Sequence, residues 1–191
     1  MNDTTRNLAE PCVVALPHNR PIFLVGMMGA GKTTIGRSLA KILGREFIDL
    51  DQAIEARCGV PVSHIFEVEG EEGFRKRETL LLDEYSQQPG IVLATGGGAV
   101  LAAQNRRILA ERGVVVYLRA SDEELYRRVA KDRNRPLLQT ANPRARVTEL
   151  LTQRAPLYEE VAHVAFDTGS MPIAQAADAL VQLLKSTPVP S

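Results

Sequence analysis

The 191-residue chain has only two cysteines, Cys12 and Cys58, three histidines with no motif around them, and no surplus of either charge. Each scarcity excludes a class of protein. Cysteines this far apart, without a CxxC pair or nearby histidine spacing, make neither a zinc site nor a disulfide framework, and they fit the reducing cytoplasm. Twenty-three lysines and arginines balance twenty-three aspartates and glutamates. A general nucleic-acid or membrane-surface binder needs a net basic surface, so the expected partners are neither. No apolar run approaches the roughly 18 residues that span a bilayer. The first twenty residues carry Asp3 and Glu10 and lack a basic start followed by an apolar block, so they do not read as a signal peptide. They are expected to be a flexible extension (1–20), with a frayed tail at 187–191 and a single domain over 21–186. His18, His64 and His163 are assigned surface or packing roles.

What is present is a rhythm. At 45% hydrophobic content the chain can fill one core. Short apolar runs at Pro21–Val25, Phe47–Asp49, Ile91–Thr95, Val114–Leu118 and His163–Asp167 read as five strands. Helical patterns separate them. One runs from Lys32 to Leu43 and stops at Gly44, and a charged one covers about 70–87 with Phe74, Leu81 and Tyr85. Others carry Ile108 and Leu109, start at the Ser121–Glu124 capping box, or run from Asn142-Pro143 to near Tyr158. Ile173, Ala177, Leu180, Val181 and Leu184 stripe the last. Short buried strands alternating with helices predict an α/β fold, a parallel five-stranded sheet with helices on both faces. Residues 131–143 break the rhythm with arginines and prolines and read as a mobile lid.

The strongest chemical signal is Gly26-Met-Met-Gly-Ala-Gly-Lys32-Thr33, a GxxxxGKT between an apolar strand and an amphipathic helix. Its glycines let backbone N–H groups converge on phosphates at a helix N-terminus. Lys32 can reach the β- and γ-phosphates, and the Thr33 hydroxyl can ligate Mg²⁺. The motif makes the expected fold a three-layer α/β/α P-loop domain.

Asp49 and Asp51 follow at the end of the second strand, where parallel-sheet proteins bind ligands. Asp49 could hold magnesium, directly or through water, and Asp51 could orient a substrate hydroxyl. One of the two could instead simply cap the helix from Gln52 onward. Gly96-Gly97-Gly98 ends the third strand, allowing either close backbone approach to a ligand or only a tight turn. Arg75, Arg135 and Arg154 can pair with carboxylate or phosphoryl oxygens. On its own spacing Arg75 reads first as a helix-surface partner of Glu71 and Glu78, at i−4 and i+3. Arg135, at the lid, is placed to bring charge over a nucleotide.

In sequence order, the segments GMMGAGKTTIGR, FIDLDQAIE, IFEVEGEEGFRKRE, GGGAV, RPLL and RAPLYEEVA resemble those of the shikimate kinases, from about residue 21 to 185. The resemblance implies a nucleoside-monophosphate-kinase-like domain that phosphorylates the 3-hydroxyl of shikimate from ATP. It implies that Gly29, Ala30, Gly31, Lys32, Thr33 and Thr34 bind the ATP phosphates, with Mg²⁺ on Thr33 and Asp49. It assigns Asp51 to the 3-hydroxyl, Arg75 and Arg154 to the shikimate carboxylate, and Gly97 and Gly98 to the ring hydroxyls. Arg135 would close over the transferring phosphate, Arg128 would lie near the adenine, and a monomer is the default. The rivals are another small-molecule kinase, of gluconate or nucleoside-monophosphate type, and a non-catalytic binding module. A GTPase switch lacks support, since no NKxD-like motif is present.

Overall fold

The computed structural model describes residues 19–130 and 140–187. Among them are five strands, β1 (Ile22–Val25), β2 (Phe47–Asp49), β3 (Val92–Ala94), β4 (Val114–Arg119) and β5 (Val164–Asp167). The helices are α1 (Lys32–Leu43), α2 (Leu50–Cys58), α3 (Val62–Tyr85), α4 (Ala103–Arg112), α5 (Asp122–Val129), α6 (Pro143–Val161) and α7 (Ile173–Ser186), with a 3₁₀ turn at Ala99–Leu101. The strands form one parallel sheet in the order β2-β3-β1-β4-β5.

The central strand explains the order. Every residue of β1 is fully buried, so it must have neighbours on both edges and helices on both faces. Each of its apolar side chains contributes roughly 1.5–3 kcal/mol on leaving water. From β1 the chain crosses to one edge through α1, and every later crossover runs back the other way. Right-handed crossovers in opposite directions put α1 on one face and α3, α4 and α6 on the other. Helix α7 returns to pack against α1. The close fit of α1 depends on Gly36, where a Cβ would lie 2.6 Å from the Phe47 ring and 2.8 Å from Leu24.

All five carboxyl ends therefore face one way, and β1 sits where the order reverses, which is where such sheets form a ligand crevice. Into it run the loops after β1 (residues 26–31), β2 (Asp49), β3 (residues 95–98) and β5 (residues 168–172).

The charged helix expected over 70–87 instead starts at Val62 and bends at Gly70, whose φ of 69° and ψ of −176° no helix contains. Contacts bridge the bend. Phe66 and Phe74 pack their rings 4.7 Å apart, and Arg77 holds Glu69 through two bonds of 2.6 and 2.8 Å. The helix ending near Tyr158 continues to Val161. Helix α5 starts at the expected capping residue, Ser121, whose hydroxyl accepts from the Glu124 N–H. Cys58 is a free thiol accepting from Arg77, and Cys12 lies outside the described residues. Among the described residues no helix is long and apolar enough to cross a membrane.

Candidate active site

The loop after β1 is held open by three glycines that no other residue would replace cheaply. Gly26 (φ 140°) passes so close to β4 that a Cβ would meet the Leu118 carbonyl at 2.5 Å, and Gly29 (φ 80°) and Gly31 (φ 96°) also take positive φ. Gly31 is the N-cap of α1, so the loop's N–H groups and the helix end converge on one cavity of about 610 Å³. Met28, Gly29, Gly31, Lys32, Thr33 and Thr34 line it, while Ala30 is buried beneath. Lys32 arches back over the loop, its Nζ donating to Gly26 O (2.8 Å) and Met27 O (2.9 Å).

Asp49 caps α2, as its position allows, and also reaches the loop after β1. Its Oδ1 accepts from the Asp51 and Gln52 N–H groups as the cap of α2, and its Oδ2 accepts from Thr33 Oγ1 at 2.7 Å. A hydroxyl and a carboxylate oxygen thus meet at the end of the cavity bordered by the loop after β1. This is the oxygen-rich pair that Mg²⁺ takes when phosphates and water complete its octahedron, so these residues fit that ion. Asp51 lines the same cavity, with Thr95 and Gly97.

Beyond Asp51 the cavity gives way to a cluster of buried charge, and the three glycines after β3 are what make room for it. A Cβ on Gly96 would lie 2.5 Å from Glu78 Oε1 and 3.0 Å from Asp51 Oδ1. One on Gly98 would lie 2.1 Å from the Arg75 guanidinium. At Gly97 it would press on the Met28 N–H at 3.3 Å and face Arg154 Nη1 at 3.6 Å. The run is therefore more than a turn: it is a trough, backed by side chains from α3 and α6.

Arg75 makes the two helix pairs that its spacing predicts, although on a largely buried face and not at the surface. It pairs with Glu71 (3.0 Å) and Glu78 (2.7 Å) and packs over the Phe74 ring, and its guanidinium also borders Gly98. Burial works against its charge, but the two carboxylates outweigh it and raise its pKa. Arg154 is 3% exposed, and its Nη1 has no hydrogen-bond partner among the described residues.

Glu78 is the residue that sequence reasoning left at the surface. It is fully buried, and its Oε1 likewise lacks a hydrogen bond. Burial pushes its carboxyl up to about 6; Arg75 opposes this, nearby Asp51 adds to it and Arg154 lowers it. A signal was available, because Glu78 falls in the stripe Phe74, Leu81, Leu82 that α3 turns toward the core.

At the far end Arg128 borders the cavity together with Arg127, Thr168, Ser170, Met171 and Ile173. Its guanidinium donates to Gly29 O (3.1 Å), to Thr168 Oγ1 (3.2 Å) and to the Gly169 carbonyl, tying the phosphate loop to the loop after β5. Arg135 and most of the expected lid lie outside the described residues.

The family model for shikimate kinase matches residues 28–185. A shikimate kinase of Bordetella pertussis is 65% identical over 171 residues, 90% of this chain and 81% of its own. A solved shikimate kinase from Acinetobacter baumannii, in complex with shikimate, superposes with a TM-score of 0.85 at 49% identity, covering 87% of this chain and 93% of that one. A gluconokinase from Sinorhizobium meliloti (TM-score 0.51, 16% identity, 88% and 94% coverage) shares the fold alone. With the motifs in order along one continuous domain, the chain belongs to the shikimate kinase family.

Proposed function

We propose that this protein transfers the γ-phosphoryl group of ATP to the 3-hydroxyl of shikimate, releasing ADP and 3-phosphoshikimate for aromatic amino-acid biosynthesis. The observation that carries the acceptor assignment is Arg154. A buried guanidinium nitrogen without an acceptor is costly, and a ligand carboxylate is the group that satisfies it best. Arg75, steadied by Glu78, supplies the second cation of that clamp. Gly97 and Gly98 leave space for the ring hydroxyls, and Asp51 accepts a hydrogen bond from the 3-hydroxyl and draws off its proton as the oxygen attacks phosphorus.

The phosphates lie in the loop from Gly29 to Thr34, and Lys32 turns from its loop carbonyls to their oxygens. Thr33 and, directly or through water, Asp49 would hold Mg²⁺, which would supply charge to neutralise the phosphates. The adenine lies toward Arg128. Arg135, outside the described residues, is assigned by the resemblance to the transferring phosphoryl group, whose charge its guanidinium would stabilise. We read the protein as a cytoplasmic monomer that needs no nucleic acid or membrane.

A coupled ADP-release assay with MgATP, offering shikimate, gluconate, AMP and CMP in turn, tests the reading. Turnover with shikimate alone is expected. Turnover with a different acceptor would sink the roles of Arg75 and Arg154. ATP binding without turnover on any acceptor would put a non-catalytic binding module in the enzyme's place.

A further inference from the structure

The trough of glycines is held from behind as well as lined from the front. Tyr158, on α6, donates its hydroxyl proton to Gly97 O. Asn105, buried in α4, donates from Nδ2 to Ala99 O at 2.9 Å. Arg106, the next residue, donates from one nitrogen to Val100 O (2.8 Å) and Leu101 O (3.2 Å), and from Nε to Glu160 of α6 at 3.0 Å. Backbone N–H groups of Ala99 and Leu101 take the carbonyls of Gly96 and Gly98. Every carbonyl from Gly96 to Leu101 therefore has a donor, and four of the six come from side chains on two helices. Those bonds fix a glycine run whose freedom would otherwise let it sample many conformations.

We infer that Tyr158, Asn105 and Arg106 form a carbonyl clamp that sets the position of the Gly96–Gly98 trough, with Tyr158 and Arg106 as positioning residues for acceptor binding. None of the three is called on to touch substrate. Tyr158 is fully buried and its ring stacks on Tyr117, with centroids 5.0 Å apart, so the hydroxyl is aimed by packing. Burial also raises the phenol's pKa and keeps it a donor. Gly97, which it holds, is wedged between the Met28 N–H of the phosphate loop and the Arg154 guanidinium one helical turn from Tyr158. A shift of Gly97 would therefore alter the spacing between the acceptor and the phosphate it attacks. Glu160 joins the two arms, so α4 and α6 act on the trough as one body.

The inference rests on the acceptor reading above, and the test separates the two. Tyr158→Phe, Arg106→Gln and Arg106→Lys are compared with wild type in steady-state kinetics for both substrates and in hydrogen exchange of the 96–101 amides. Tyr158→Phe should raise the acceptor KM roughly tenfold while the KM for ATP stays within about twofold, since only the trough has moved. Arg106→Gln should do the same more weakly. Arg106→Lys, which keeps a donor for Val100 O, should fall between Arg106→Gln and wild type. Exchange at 96–101 should quicken in step with KM. If Tyr158→Phe does not fold, the Arg106 pair carries the test. Unchanged acceptor KM and exchange in folded variants, or equal rises for both substrates, would overturn the clamp. If wild type uses an acceptor other than shikimate, the acceptor reading falls and the same split is read on that acceptor. If wild type turns over none, exchange alone decides the clamp.

Discussion

On the proposed reading, the two ends of the crevice solve the same problem, holding an anion, with different materials. At the phosphate end the work is done by backbone: one continuous loop, glycines in left-handed conformations, a helix N-terminus and a lysine. At the trough end it is done by side chains from three separate segments, Arg75 and Glu78 of α3, Arg154 of α6 and Asp51 of α2, packed against glycines whose φ angles are ordinary. The glycines thus differ in purpose. Those of the phosphate loop are needed for what the backbone must do, and those of the trough for the volume a side chain would fill. A backbone site follows phosphate geometry and is local in sequence, whereas a side-chain site is shaped to one acceptor and exists only once the chain has folded.

The change expected to be largest strikes the junction of the two ends. Asp51→Asn should lower kcat by about 10²–10⁴-fold with little change in the KM for shikimate, if Asp51 takes the proton during transfer. Unchanged turnover would remove that role and leave Asp51 as part of the binding wall.

Next, alanine scanned into the two glycine sets should give opposite signatures. Gly98→Ala places a methyl where the Arg75 guanidinium lies and should raise the shikimate KM by roughly 10–100-fold, with ATP nearly unaffected. Gly31→Ala, at φ 96°, should do the reverse. Steady-state kinetics with each substrate varied in turn would reveal it, and identical signatures would erase the distinction drawn above.

A smaller effect follows from Glu78. Its folded pKa, about 6, lies above its ordinary value of 4.5, so the folded protein holds a proton that the unfolded chain releases between those values. Stability should therefore fall as pH rises from about 4.5 to 6, by up to about 2 kcal/mol from this group. Glu78→Gln should remove that slope in denaturant titrations. In kinetics the sign reverses, because the ionised carboxylate steadies Arg75. The wild-type shikimate KM should climb as pH drops below about 6, whereas in Glu78→Gln it should be high and flat.

The smallest effect is far from either end. His163 Nδ1 accepts from the Val115 N–H at 3.0 Å, extending the β4–β5 ladder, and burial, then Arg20, holds its pKa below the ordinary 6.5. Its contribution is present above pH 6.5 and is lost as pH falls through the folded value. His163→Asn, which keeps an acceptor but cannot titrate, should lose less melting temperature than wild type between pH 7.5 and 5.5.

The same contrast decides what could be read from sequence. The phosphate loop was legible because its parts lie within eight residues and its flanking strand and helix announce themselves. The strands were legible to within a residue or so, the inner ones because burial on both faces requires unbroken apolar runs such as Ile22–Val25, while β5 alternates buried and exposed residues. Asp49 was half legible: its spacing suggested a cap or a metal ligand, and only the fold shows that one oxygen caps α2 while the other accepts from the Thr33 hydroxyl. Arg75 misleads when read alone, because ion pairs with Glu71 and Glu78 are what any exposed helix would offer. Only its approach to Gly98, 23 positions along the chain, sets it apart. The helical turns from Val62 to Glu69 were hidden because Gly70, a poor helix former, reads as the start of the charged helix and not as a bend within a longer one. Asn105 and Arg106 sit in a polar helix, and nothing local says that they reach back to carbonyls.

The interlock of Arg75 with Gly98 also bears on how such a site can change over generations. The missing methyl and the guanidinium occupy the same space, so a side chain at 98 forces Arg75 to shift from its pairs with Glu71 and Glu78. If Arg75 goes first, a void remains and Glu78 is left as a buried charge deprived of its ion pair. Either change made alone therefore carries a cost at this pair, and replacing both together avoids the clash and the stranded charge.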